Sequence, residues 1–88
     1  MDWQPSAEII ELVRNLALQN ALQYEGEGQV GSVMGRIMGT RADLRQYAKQ
    51  LPKIISQEVN AANSLAKSEG LDYVREILAQ SAPEMLEK

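Results

Sequence analysis

Residues 40–62 read TRADLRQYAKQLPKIISQEVNAA. Leu44, Ala48, Leu51, Ile55, Val59 and Ala62 recur every three or four positions, which places them on one face of an α-helix. Thr40 and Asp43 stand just ahead of this pattern, so Thr40 is the expected N-cap and Asp43 the N3 residue of an approximate capping box. Pro52 interrupts the pattern. Proline has no backbone N–H and disfavours the α conformation at the residue before it, so the helix should kink or split there. Arg41, Arg45, Lys49 and Lys53 stand at strict four-residue spacing beside the apolar face. On a continuous α-helix four residues advance about 400°, so these side chains would form a slowly slanting cationic stripe.

The same periodicity extends in both directions. Upstream, Ser6 is a plausible N-cap with Glu8 in the first turn, and Ile9, Leu12, Val13, Leu16 and Ala17 follow at helical spacing. They predict a first helix from about Ser6 to Tyr24. Asn20 falls on or near its apolar stripe, so its amide should bond to the backbone of a neighbouring loop, because a buried amide left unpaired is costly. Residues 25–29 break the pattern and read as a loop. Val30, Val33, Met34, Ile37 and Met38 then mark one face of a short second helix from about Gln29 to Met38. Gly31, Gly35 and Gly39 recur every four residues on the same helix. Each internal glycine costs about 0.5–1 kcal/mol relative to alanine, so packing must hold this helix. Its glycine side would admit a close backbone, and Gly39 is the expected C′ residue.

Downstream, Asn60 to Ser68 is less patterned and reads as a helix end plus a connection. Leu71, Val74, Ile77 and Leu78 mark a last helix, ended by Ser81-Ala82-Pro83, with Met85 to Lys88 as a tail. No stretch alternates with period two between turn signals. The expected fold is all-α: a small bundle of about four helices, the third kinked at Pro52, in one domain over residues 1–82.

Composition narrows the chemistry. The chain has 88 residues, with no Cys and no His. That removes Ser-His-Asp and Cys-His catalysis, the usual general base near neutral pH, and the two commonest zinc ligands. No metal or cofactor site is expected. No positively charged segment leads into an apolar run at the N-terminus, and no apolar stretch approaches ~20 residues, so neither a signal peptide nor a membrane span is expected. The expected location is the cytoplasm, and nothing demands more than a monomer. The net charge of −3 hides a partition: residues 36–53 carry +4 and the rest of the chain −7. Segregated charge of this kind bears on partners more than the net value does.

Three motifs have competing readings. Gly26-Glu27-Gly28-Gln29-Val30-Gly31 matches the G-x-G-x-x-G pattern, but a helix rather than a strand precedes it and Glu27 would oppose a pyrophosphate. Met34 and Met38 could belong to a hydrophobic docking surface or simply fill the core. With Arg36, the Arg41–Arg45–Lys49–Lys53 series is either a phosphate-contacting ridge or a solvated helix face. The absence of acidic residues at i±4 favours the ridge, since Asp43 is expected to be occupied at the helix start. Tyr47 beside the series could stack on a base, or lie half-buried with its hydroxyl in solvent, as Tyr24 and Tyr73 should.

Ala17-Leu18-Gln19-Asn20-Ala21-Leu22-Gln23-Tyr24, the glycine-bearing loop and Gly31-Ser32-Val33-Met34-Gly35-Arg36-Ile37-Met38-Gly39 form one recognisable series. Together with Asp43-Leu44-Arg45, Ala48-Lys49, Pro52 and Glu58-Val59-Asn60, they resemble the N-terminal appended domain of archaeal glutamyl-tRNA synthetase over Leu12 to Asn60. The Val33-Met34-Gly35 region is also distantly similar to the helical tail of the B subunit of tRNA-dependent amidotransferases. The first resemblance implies a non-catalytic leading domain, with residues 83–88 a tail toward a linker and a catalytic domain. That domain would hold ATP and join glutamate to tRNA; its signatures do not occur in this sequence. The implied partners are tRNA, met by Arg36, Arg41, Arg45, Lys49 and Lys53, and the parent's own catalytic domain. The alternatives are a docking module for another translation protein, built on Gly31, Val33, Met34 and Gly35, and a structural cap on the catalytic body.

Overall fold

The computed structural model describes residues 3–86. Helix α1 spans Ala7–Gln23, and the Ser6 hydroxyl caps it by accepting the Ile9 N–H at 3.2 Å. Its C-terminus closes in a Schellman motif. Gly26 N–H donates to the Ala21 carbonyl and Glu25 N–H to the Leu22 carbonyl. Glu25 takes the left-handed conformation, at φ 54°, to make the turn. Helix α2 follows over Val30–Thr40, helix α3 over Leu51–Glu69 and helix α4 over Leu71–Ser81. Two 3-10 segments, Ala42–Tyr47 and Pro83–Leu86, complete the chain. Among the described residues there is no strand, so the all-α bundle of four α-helices is the observed fold.

Helix α1 is the axis of the bundle and packs against each of the other three α-helices. Val13, Leu16, Ala17, Leu18 and Ala21 of α1 meet Val33 and Ile37 of α2, Leu51, Ile55, Val59 and Ala62 of α3, and Val74 and Leu78 of α4 in one aliphatic core. Met34 and Met38 pack half-buried on its edge, as gap-filling side chains do.

Of the kink and the split expected at Pro52, the structure shows the split, with a 3-10 segment before it. No kinked helix runs through Pro52; α3 starts at Leu51, with the proline in its first turn. There its missing N–H needs no partner and its fixed φ suits the helix. A helix continuing from Leu44 would instead need the Pro52 N–H to reach the Ala48 carbonyl. The chain before the proline closes by shorter bonds: Leu44 N–H to Arg41 O, Ala48 N–H to Arg45 O and Gln50 N–H to Tyr47 O, at 2.9–3.1 Å. Thr40 ends α2 rather than capping the next element, and its hydroxyl donates to the Arg36 carbonyl at 2.7 Å. Gly39 accordingly lies inside α2 and is not its C′ residue.

Two further boundaries differ. Residues 60–69 remain helical, with Ala62 and Ala66 buried and Lys67 complementing the helix dipole in the last turn. Gly70, at φ 93°, both ends α3 and starts α4, a conformation that a side chain would strain. Pro83–Leu86, within the expected tail, packs Met85 and Leu86 half-buried on the core, and the Gln19 amide donates to the Met85 carbonyl at 2.7 Å.

Candidate nucleic-acid interface

The five expected basic residues all lie on the path from α2 to α3, but they do not form one helix stripe. In a 3-10 segment of three residues per turn, positions four apart are separated by about 120° rather than about 40°. Each side chain therefore meets its own surroundings. Arg36, on α2, donates to the Gln19 side-chain oxygen on α1. Arg41 grips both oxygens of Asp43, at 3.0 and 2.8 Å. The Asp43 carboxyl is held below its ordinary pKa by that hydrogen bond, and the Arg41 guanidinium is raised by the same contact. Asp43 is thus neutralised by a neighbouring arginine instead of capping a helix. Arg45 folds back so that its Nε donates to the Met38 carbonyl at 2.9 Å, satisfying one of the last carbonyls of α2.

Lys49 and Lys53 are exposed, and among the described residues neither lies within ion-pair distance of a carboxylate. Lys53 sits in the first turn of α3, which holds no acidic residue and has no side-chain cap. A helix N-terminus carries partial positive charge from its free N–H groups, so a lysine there is unfavourable for the isolated helix and reinforces attraction for an anion. With Trp3, Gln4, Pro5 and Ile54, the two lysines border an open cleft of about 460 Å³. The Trp3 ring stacks on Tyr47, centroids 4.0 Å apart and planes 6° from parallel. Tyr47 is half-buried, as expected, whereas Tyr24 and Tyr73 are exposed. The Trp3–Tyr47 pair had no signal in the sequence pattern, because Trp3 precedes the first periodic segment.

The glycine-rich loop has a different logic. The Asn20 amide, 4% exposed, accepts the Gln29 N–H at 2.7 Å and donates to the Ser32 hydroxyl at 2.9 Å, the loop contact expected of it. Asn63 on α3 holds the other side: Gly28 N–H donates to its Oδ1 at 2.8 Å, and its Nδ2 donates to the Gly28 carbonyl at 3.0 Å. A Cβ on Gly28 would stand 3.0 Å from Asn20 Oδ1 and 3.2 Å from Asn63 Oδ1, so a side chain here would push the two amides by a few tenths of an ångström from their backbone partners. The G-x-G-x-x-G match is preceded by α1, not by the strand a dinucleotide site needs.

The candidate docking residues are also dispersed. Val33 is 1% exposed and belongs to the core, Met34 is half-buried, and Gly31 and Gly35 face solvent with no other group within 4 Å of an added Cβ. No backbone approaches the glycine side among the described residues. The apolar openings lie elsewhere. One cleft of about 550 Å³ runs between α1 and α4 past Ile10, Leu18 and Ile77. A smaller one of about 190 Å³ adjoins it toward α3 at Leu65, rimmed by the Arg14–Glu58 ion pair. Among the described residues, no three acidic, His or Cys side chains converge as a metal site would require. No helix of the described chain is long and apolar enough to cross a membrane.

No family model matches the chain, and no solved structure does. Similar proteins are known by sequence. The chain is 36% identical over 88 residues to a glutamate–tRNA ligase of Haloarcula marismortui, which covers all of this chain and 14% of that protein. It is 39% identical over 87 residues to the ligase of Natronomonas pharaonis, 99% of the chain and 14% of the relative. For the ligase of Thermococcus kodakarensis the identity is 36% over 81 residues, 92% of the chain and again 14% of the relative. The chain's homologues are thus glutamate–tRNA ligases, and it corresponds along its length to a segment making up about 14% of theirs.

Proposed function

We propose that this chain is a non-catalytic N-terminal domain of an archaeal-type glutamyl-tRNA synthetase that contacts the phosphate backbone of tRNA. In this reading the ligation of glutamate, with ATP, belongs to the catalytic domain of the parent protein, and that domain and tRNA are the two partners.

The observation that carries the RNA contact is the pair Lys49 and Lys53. They flank an acid-free helix start, at the end of the one cationic segment in an otherwise acidic chain. Lysines so placed supply affinity through counterion release and carry no sequence information. Arg36, which leans on a neutral amide, and Arg45, which caps a carbonyl, retain their charge for a phosphate. Arg41 contributes least, because Asp43 already neutralises it.

A second reading rests on the apolar clefts along α1 and α4. They suit a protein partner, either another translation protein or the catalytic body itself, for which the domain would be a structural cap. Titration of the chain with tRNA at two ionic strengths separates the readings. Binding that weakens steeply with salt supports the phosphate contact. No binding at low salt contradicts it and leaves the docking face.

A further inference from the structure

We propose that the cleft between Trp3 and the start of α3 receives an unpaired nucleotide of RNA, its base stacked against Trp3 and its phosphates on Lys49 and Lys53. The inference rests on the tRNA reading above and adds to it the form of RNA and the place of contact. Proteins that hold single-stranded RNA combine cationic side chains along the backbone with aromatic rings on which bases stack. Both parts occur around this cleft. Tyr47 covers one face of Trp3 at 4.0 Å, which fixes the indole plane before any ligand arrives and lowers the ordering cost of binding.

The indole itself is half-buried and borders the cleft together with the two lysines. Gln4 and Gln50 stand on the same rim, both exposed, with side-chain amides that make no hydrogen bond among the described residues. A side-chain amide offers both donor and acceptor to the edge of a base. The volume of about 460 Å³ falls in the ~300–1,000 Å³ range of clefts that take small ligands. Base-paired RNA keeps its rings inside the stack, so an aromatic wall is useful only for a nucleotide that has left it.

Trp3 is the single tryptophan of the chain, so its emission reports the cleft directly. The chain is titrated at low salt with a short oligoadenylate carrying an end label, and both tryptophan emission and label anisotropy are followed. An RNA duplex and inorganic polyphosphate of matched charge serve as controls. The expected result is saturable quenching by oligoadenylate, little quenching by the controls, and about ten-fold weaker binding by Trp3→Leu. Trp3→Phe, which keeps a stacking ring, should restore most of the affinity, and circular dichroism should show the helices retained in both variants.

Anisotropy that saturates with tryptophan emission unchanged, or with Trp3→Leu binding as well as the natural chain, overturns the cleft while sparing the phosphate contact. Equal quenching by polyphosphate also overturns it, since the indole would then be sensing charge and not a base. Failure of tRNA, oligoadenylate and duplex alike to bind at low salt overturns both readings together.

Discussion

The two connections that flank α2 differ in where their polar groups go. The loop from α1 to α2 turns them inward: Asn20 and Asn63 engage the backbone of Gly28 and Gln29, and the chain passes where a Cβ would be crowded. The connection from α2 to α3 leaves more of them outward. Its backbone closes by short 3-10 bonds and α3 begins without a side-chain cap. The side chains of Lys49, Lys53 and Gln50, with Gln4 across the cleft, make no hydrogen bond or ion pair among the described residues. A connection whose polar groups are spent internally holds the fold, whereas one that leaves charge unpaired beside an aromatic pair is equipped to meet a partner. Both are polar, but the first carries two glycines and two glutamates where the second is basic, so the disposition of their hydrogen bonds adds to a contrast already present in composition.

The largest effect should come from breaking the first connection. Asn20→Ala strands the Gln29 N–H and removes the Ser32 contact, and should destabilise the domain by about 2–3 kcal/mol. Urea denaturation checks this, and the salt dependence of RNA binding by the folded variant should be unchanged. A loss of RNA affinity at full folding would blur the contrast between the two connections. A smaller change sharpens it. Glu25 holds a left-handed conformation that costs a non-glycine residue about 1–2 kcal/mol, so Glu25→Gly should raise stability by roughly 1 kcal/mol in the same assay.

In the second connection, Asp43→Asn releases Arg41 from its carboxylate partner. Affinity for RNA should rise about two- to three-fold at low salt, and the salt slope should steepen by roughly one phosphate equivalent. An unchanged slope would mean that Arg41 does not face the RNA. The smallest expected effect concerns pH. The hydrogen bond from Arg41 lowers the Asp43 pKa, so whatever stability the pair adds is present above the ordinary carboxylate range and is lost only as pH falls through that lowered value. With no histidine in the chain, RNA affinity should be flat between about pH 5.5 and 7. A step in that window would point to a group outside this account.

Much of the fold was legible in periodicity and caps. Ser6, the apolar stripe of α1, the Asn20 amide and the start of α4 at Gly70 all carry local signals that tertiary packing did not override. The 3-10 segment was not legible. Pro52 announces a break, but whether the helix bends through it or begins with it in the first turn depends on Leu44 and Leu51 both reaching a core already set by α1. Asn60 to Ser68 shows little apolar contrast in the sequence because, Leu65 apart, its inward side chains are alanines and an asparagine. Asn63 does its work on a loop distant in sequence.

For the candidate site, the charge partition was visible and the geometry was not. Four-residue spacing implies a stripe only if the backbone is α-helical, and this backbone is largely 3-10. The Trp3–Tyr47 stack is a contact between residues far apart in the chain, and neither residue alone distinguishes a core aromatic from a platform.

If the α2–α3 connection meets tRNA through Lys49 and Lys53, as proposed, the slope of log affinity against log salt for tRNA must differ between the natural chain and Lys49→Gln/Lys53→Gln. Two lost phosphate contacts should flatten the slope by roughly 1.5 and weaken low-salt binding about ten-fold. Stability should be kept, because neither lysine has a carboxylate partner among the described residues and Lys53 opposes the α3 dipole. An unchanged slope in a folded double variant would contradict the account and move the partner to the apolar clefts along α1.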